Sequence, residues 1–167
     1  MSRIYVLHGP NLNFLGRRDP EVYGRETLAE IDARTAEFGA RLGLECDCRQ
    51  SNSEGTLIDW VQEATAAGVA GMVINAAGYS HTSIALSDAV RDFGGAGGYS
   101  VEVHLSNIYR REEFRRHSWM SAAVDGVVVG FGSEGYLLAL RMIARRFELN
   151  APRRGGGKRK RSRAGGG

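Results

Sequence analysis

Five short β-branched or aliphatic runs alternate along this chain with stretches whose apolar residues recur at helical spacing, and that alternation limits the fold more than any other feature. The runs Ile4–His8, Leu44–Arg49, Val69–Asn75, Tyr99–Leu105 and Asp125–Gly130 read as strands. Thr27–Leu42 reads as a helix, with Leu28, Ile31, Thr35, Phe38 and Leu42 on one face. Ser53 is placed to N-cap a second helix carrying Leu57, Ile58, Val61 and Ala64. Thr82–Phe93 and Glu134–Leu149 complete the set, the last with a basic final turn suited to its dipole, and Glu112–His117 predicts a short extra helix. Strand and helix in strict succession imply a parallel sheet covered by helices on both faces.

At this length the favoured arrangement is a flavodoxin-like α/β sandwich, a five-stranded parallel sheet in the order 2-1-3-4-5. There is no internal repeat of the kind that marks a solenoid. A single domain is expected over residues 1–151, followed by a tail from Pro152 that reads PRRGGGKRKRSRAGGG. The whole chain carries +3; subtracting the seven tail cations leaves −4 on the body. The tail lacks the apolar residues to bury a core and is predicted to be disordered. Its alternatives are a solubilising extension or a weak electrostatic contact with nucleic acid that plays no part in function.

No apolar run approaches the roughly 18–20 residues that span a bilayer, and the N-terminus is too short in apolar residues for a secretory signal. Cys46 and Cys48 stand two apart on one extended strand, poor geometry for a disulfide, and no second Cys/His pair has zinc-ligand spacing. Reduced core thiols, a cytoplasmic location and no bound metal are expected.

In such a sheet the chemistry sits beyond the carboxyl ends of the strands, near the switch between strands one and three. Those ends carry His8-Gly9-Pro10-Asn11, Asn75-Ala76-Ala77-Gly78-Tyr79-Ser80-His81 and His104-Leu105-Ser106-Asn107. Glu102 and His104 share one strand face, and a carboxylate bonded to the imidazole would orient it and favour the imidazolium. The segment from Gly16 to Gly24 holds Arg17, Arg18 and Tyr23, is long enough to fold over a site, and has glycines at both ends to permit a hinge. A guanidinium beside a phenol, which ordinarily titrates near pKa ~10, favours the phenolate and makes it a base. Asn11 and Asn75 offer amides that can hold a carbonyl or enolate oxygen, directly or through water. The turn Gly130-Phe131-Gly132-Ser133-Glu134-Gly135 lacks the Lys-Ser/Thr ending of a phosphate loop and reads as a tight strand-to-helix connection. A receiver-type signalling domain would need an acidic cluster at these strand ends. A flavodoxin-like electron carrier would need a Ser/Thr-rich loop where GPNLNFLG stands.

The segments GPNLNFLGRRDPEVYG, QSNSEGTLIDWV, INAAGYSHTSIALSDA, EVHLSNIYRREEFRRHS and GVVVGFGSEGYLLAL, in that order from Ile4 to about Phe147, closely resemble the type II 3-dehydroquinate dehydratases. The resemblance implies a cofactor-free lyase that removes water from 3-dehydroquinate by trans elimination through an enolate, in the shikimate pathway or in quinate breakdown. It implies a dodecamer built as a tetramer of trimers. It assigns Tyr23 as the base that removes the C2 proton, with Arg18 stabilising its phenolate, and His104 as the acid, oriented by Glu102. Asn11 and Asn75 would position the enolate oxygen or its water. Leu105 and Ser106 would hold the substrate carboxylate, His81 and Arg115 the ring hydroxyls, and Asp88 would reach a neighbouring subunit's site. The chain departs from the family pattern at Ala77-Gly78, Ser80 and Trp119, and the basic tail has no counterpart there. The only lysines, Lys158 and Lys160, lie in that tail, so the body has no amine for the alternative imine route to this dehydration.

Overall fold

The computed structural model describes residues 1–17 and 19–151, so the expectations for Arg18 and for the 152–167 tail lie outside the described residues. The strands are β1 (Ser2–His8), β2 (Leu44–Gln50), β3 (Gly71–Asn75), β4 (Tyr99–His104) and β5 (Gly126–Val129). They form one parallel sheet in the order β2-β1-β3-β4-β5, as the alternation predicted. The helices are α1 (Pro20–Tyr23), α2 (Leu28–Arg41), α3 (Glu54–Ala66), α4 (Ile84–Gly95) and α5 (Glu134–Asn150).

Strand alternation divides the core into two layers. Ile4, Val6, Val73, Val101 and Val103 face α2 and α5, where Ile31, Tyr136, Leu140 and Ile143 close over them. Tyr5, Leu7, Met72 and Ile74 face α3 and α4, against Leu57, Val61, Leu86, Val90 and Phe93. The same alternation decides where each polar strand end points. His8 and Asn75 follow the α2/α5 face, and Glu102 and His104 the α3/α4 face.

The helix starts are written in local chemistry. Thr27 and Glu30 form a reciprocal capping box at α2, and Ser53 accepts from the Thr56 amide at α3. Ser83 caps α4, so that helix begins two residues after the predicted start. β5 is shorter than predicted. The Asp125 side chain is taken by the Ser100 amide at 2.8 Å, and Gly130 turns away at φ 91°. The Gly16–Gly24 segment is not wholly a loop, because Pro20 at the first position starts one helical turn. The last turn of α5 carries no basic residue, correcting the predicted basic end; Arg145 and Arg146 lie a turn earlier. Cys46 and Cys48 are free thiols, half-buried beside α2. Burial pushes the Cys46 thiol up to about 11, and raises Cys48 further with Asp32 beside it.

Candidate active site

The carboxyl ends of β1, β3 and β4 open into one cleft of about 180 Å³, room for a single substituted six-membered ring. Two backbone features bring these ends together. A Cβ on Gly9 would lie 2.4 Å from the Ala76 carbonyl oxygen, so only glycine lets β1 leave the sheet this close to β3. Asn11 and Ala77, which line the cleft, have φ values of 68° and 50°, left-handed conformations that L-residues adopt at a cost.

On the α3/α4 side, the His104 Nε2–H donates to Glu102 Oε1 at 2.5 Å, with both side chains buried. Nε2 is thereby committed, and Nδ1 is the ring atom left for the cleft. Burial by itself pushes the Glu102 carboxyl up, but hydrogen bonds from His104, Ser118 and Ser121 outweigh it and hold the group below the usual carboxylate range. The 3-10 turn Ala77–His81 sets His81 nearly parallel to His104, with ring centroids 6.3 Å apart. Its Nδ1–H donates to the His117 carbonyl at 2.7 Å, and burial holds the ring below the usual imidazole range. A neutral His81 presents Nε2 as an acceptor.

Tyr23 enters from the end of α1, half-buried, with the Arg111 guanidinium 5.2 Å from its ring centroid. Arg111 also donates to Ser106 Oγ at 3.3 Å. Arg115, held by Glu112 at 2.7 Å, lines the same cleft, as do Leu105 and Ser106 just after β4. The Asn11 amide donates to Asn52 Oδ1, leaving its exposed side chain at the mouth. Asn75 is 3 % exposed and lines the floor; its Oδ1 accepts from the Ala77 amide at 3.2 Å.

Most of the residues singled out from the sequence therefore meet here. Asp88 does not: it sits on the exposed face of α4, paired with Arg91 at 3.1 Å, outside this cleft. The sequence reading missed Arg111, one of four arginines in YRREEFRR whose spacing gave no reason to separate it from Arg110 or Arg116. It also missed Ser118 and Ser121, which reach Glu102 from a segment without regular structure. His8, Asp32 and Tyr136, which stand behind Asn75, were missed as a group. Among the described residues no cluster of three or more His, Cys, Asp or Glu side chains is placed to hold a metal ion. None of the described helices is long and apolar enough to cross a membrane.

A family model described as Dehydroquinase class II matches residues 2–144. The chain is 54% identical over 147 residues to a 3-dehydroquinate dehydratase of Bartonella henselae, covering 88% of this chain and 97% of that one. A 3-dehydroquinate dehydratase of Variovorax paradoxus is 53% identical over 147 residues, covering 86% of this chain and 99% of the relative. The crystal structure of type II dehydroquinase from Propionibacterium acnes superposes with a TM-score of 0.83 at 43% identity, over 87% of this chain and 97% of that one. With a family match across nearly all of the described body and relatives more than half identical over most of both chains, this chain belongs to the class II dehydroquinases.

Proposed function

We infer that this chain is a hydro-lyase that dehydrates 3-dehydroquinate to 3-dehydroshikimate, and we propose a division of labour among its residues. The observation that carries the reading is that a phenol and an imidazole backed by a buried carboxylate line one small cleft. Tyr23, as phenolate, takes the proton from the carbon beside the ketone. The C–H electron pair forms a carbon–carbon double bond as the carbonyl π pair moves onto the ketone oxygen, and the enolate is held by the Asn11 and Asn75 amides, directly or through water. Collapse of the enolate breaks the adjacent carbon–oxygen bond; the leaving oxygen takes a proton from the His104 imidazolium and departs as water. Phenol and imidazole then exchange protons with solvent.

Arg111 over the Tyr23 ring supplies positive charge beside the base. We assign Arg18 the same role on the strength of its place in the family motif. Glu102 keeps His104 in register, and its own ionised state is supported by two serine donors. The substrate carboxylate is assigned to the Leu105 and Ser106 backbone amides with the Ser106 hydroxyl, and the ring hydroxyls to His81 and Arg115. Asp88, on an outer face, is assigned to a neighbouring subunit's cleft in a dodecamer of four trimers. The enzyme is taken to act in the cytoplasm, in aromatic biosynthesis or quinate breakdown. Residues 152–167 are assigned no part in catalysis.

The test is an ultraviolet assay for the conjugated enone acid, run with EDTA and separately with borohydride. Turnover that survives both supports acid–base chemistry by side chains; loss in either arm overturns it. Tyr23→Phe is expected to lower kcat by about three orders of magnitude while a ring-acid inhibitor still binds. An unchanged rate would remove Tyr23 as the base.

A further inference from the structure

We propose that a hydrogen-bond chain, Asp32–His8–Tyr136–Asn75, anchors the Nδ2 end of the Asn75 amide, whose Oδ1 end the Ala77 amide holds, making Tyr136 and His8 positioning residues for the dehydration. The inference rests on the role given to Asn75 above and extends it behind the cleft wall. The four residues come from α2, β1, α5 and β3, and meet at the edge of the sheet face opposite Glu102 and His104.

The sense of each bond follows from the one before it. Asp32 Oδ1 lies 2.7 Å from His8 Nε2, and an ionised carboxylate only accepts, so Nε2 carries the hydrogen. In the neutral ring Nδ1 is then a lone pair, and the Tyr136 hydroxyl donates to it at 2.9 Å. Burial holds the Tyr136 phenol far above its usual range, so it keeps the proton it donates. The Tyr136 oxygen is left as an acceptor, and takes one N–H of Asn75 Nδ2 at 3.1 Å. At the other end of that amide, Oδ1 is occupied by the Ala77 N–H at 3.2 Å. One amide hydrogen remains, on a side chain that lines the cleft. The arrangement thus delivers a donor, not an acceptor, to whatever oxygen lies over Asn75, which is what an enolate requires. With no hydroxyl at position 136 the Nδ2 end would lose its anchor, and the donor would no longer be aimed.

The relay is tested by a double-mutant cycle on kcat and KM with 3-dehydroquinate, comparing Tyr136→Phe, Asn75→Ala and the pair, with melting temperature recorded for each. Tyr136→Phe is expected to lower kcat about tenfold with KM within about twofold, and the double variant to lose no more than Asn75→Ala alone. Losses that multiply, or a full rate in Tyr136→Phe, would overturn the relay while leaving the role of Asn75 standing. A full rate in Asn75→Ala would instead overturn that role, and the relay with it. If Tyr136→Phe does not fold, Asp32 serves in its place, since its side chain is 29% exposed and its loss leaves no cavity in the core. Asp32→Ala frees the His8 tautomer, and is expected to lower kcat about threefold with an unchanged melt. Asp32→Asn, whose amide oxygen still accepts from Nε2–H, is expected to restore the rate to within about twofold. Equal rates in Asp32→Ala and the unaltered enzyme would also overturn the relay.

Discussion

The carboxyl edge of the sheet carries two buried polar networks, one on each face, and they are built in opposite ways. On the α3/α4 face, Glu102 and His104 are two residues apart on one strand, and the strand period alone brings them together. On the α2/α5 face, His8, Asp32, Asn75 and Tyr136 come from four elements, with partners separated by 24, 61 and 128 positions in the chain. The first network is local and can be read before folding; the second exists only once β1, β3, α2 and α5 have packed. The proposed acid is therefore held by short-range geometry, and the proposed enolate donor by long-range geometry.

The comparison can be broken most forcefully at His104. His104→Ala is expected to lower kcat by about two to three orders of magnitude in the enone assay, with an intact fold by circular dichroism. A rate within tenfold of the starting enzyme would move the acid to another residue, and His81, the parallel ring beside it, would be examined first.

At the next level of effect, Gly9→Ala is expected to destabilise the fold by about 1–3 kcal/mol, because its Cβ meets backbone at the joint between β1 and β3. Chemical denaturation measures this. No loss would mean that the close approach does not hold the two strand ends.

The Glu102 network also sets an acid limit. Its carboxyl lies below the usual range in the folded protein, so its contribution to stability is complete above the ordinary carboxylate pKa and is lost as pH falls through the depressed folded value. Removing the serine donors in Ser118→Ala/Ser121→Ala brings that value back up towards the ordinary one, so the stability that Glu102 loses on acidification should be smaller and its loss complete at higher pH. Melting curves recorded from neutral to acid pH decide this, and superimposable pH profiles would show that the serines do not tune the pair.

The smallest expected effect concerns Ala77, whose amide anchors Asn75 from a left-handed conformation at φ 50°. Ala77→Gly relieves that strain and is expected to stabilise by about 0.5–1 kcal/mol, less whatever the freer unfolded chain takes back. A lower melting temperature would show that the unfolded-state entropy dominates at this position.

The contrast between the networks explains what was legible in advance. The sheet order followed from five strand–helix units, and the starts of α2 and α3 from Thr27 and Ser53, because periodicity and capping act over a few residues. The Glu102–His104 pair was legible for the same reason. Arg111 was not, since four arginines in eight residues look alike until the 3-10 turns aim one of them at Tyr23. Tyr136 lay inside the expected Glu134–Leu149 helix, and nothing near it in the chain pointed to His8 or Asn75.

By itself, then, the sequence determined the layers, the strand order, the cleft's place at the strand ends and the residue types that meet there. All of these depend on alternation and on short-range contacts. Only the tertiary structure decided which arginine faces the phenol, which serines sustain the carboxylate, and which way the Asn75 amide is turned. Hydrogen-bond direction is a property of atoms within about 3 Å of one another, and for these groups that proximity is created by packing elements from opposite ends of the chain.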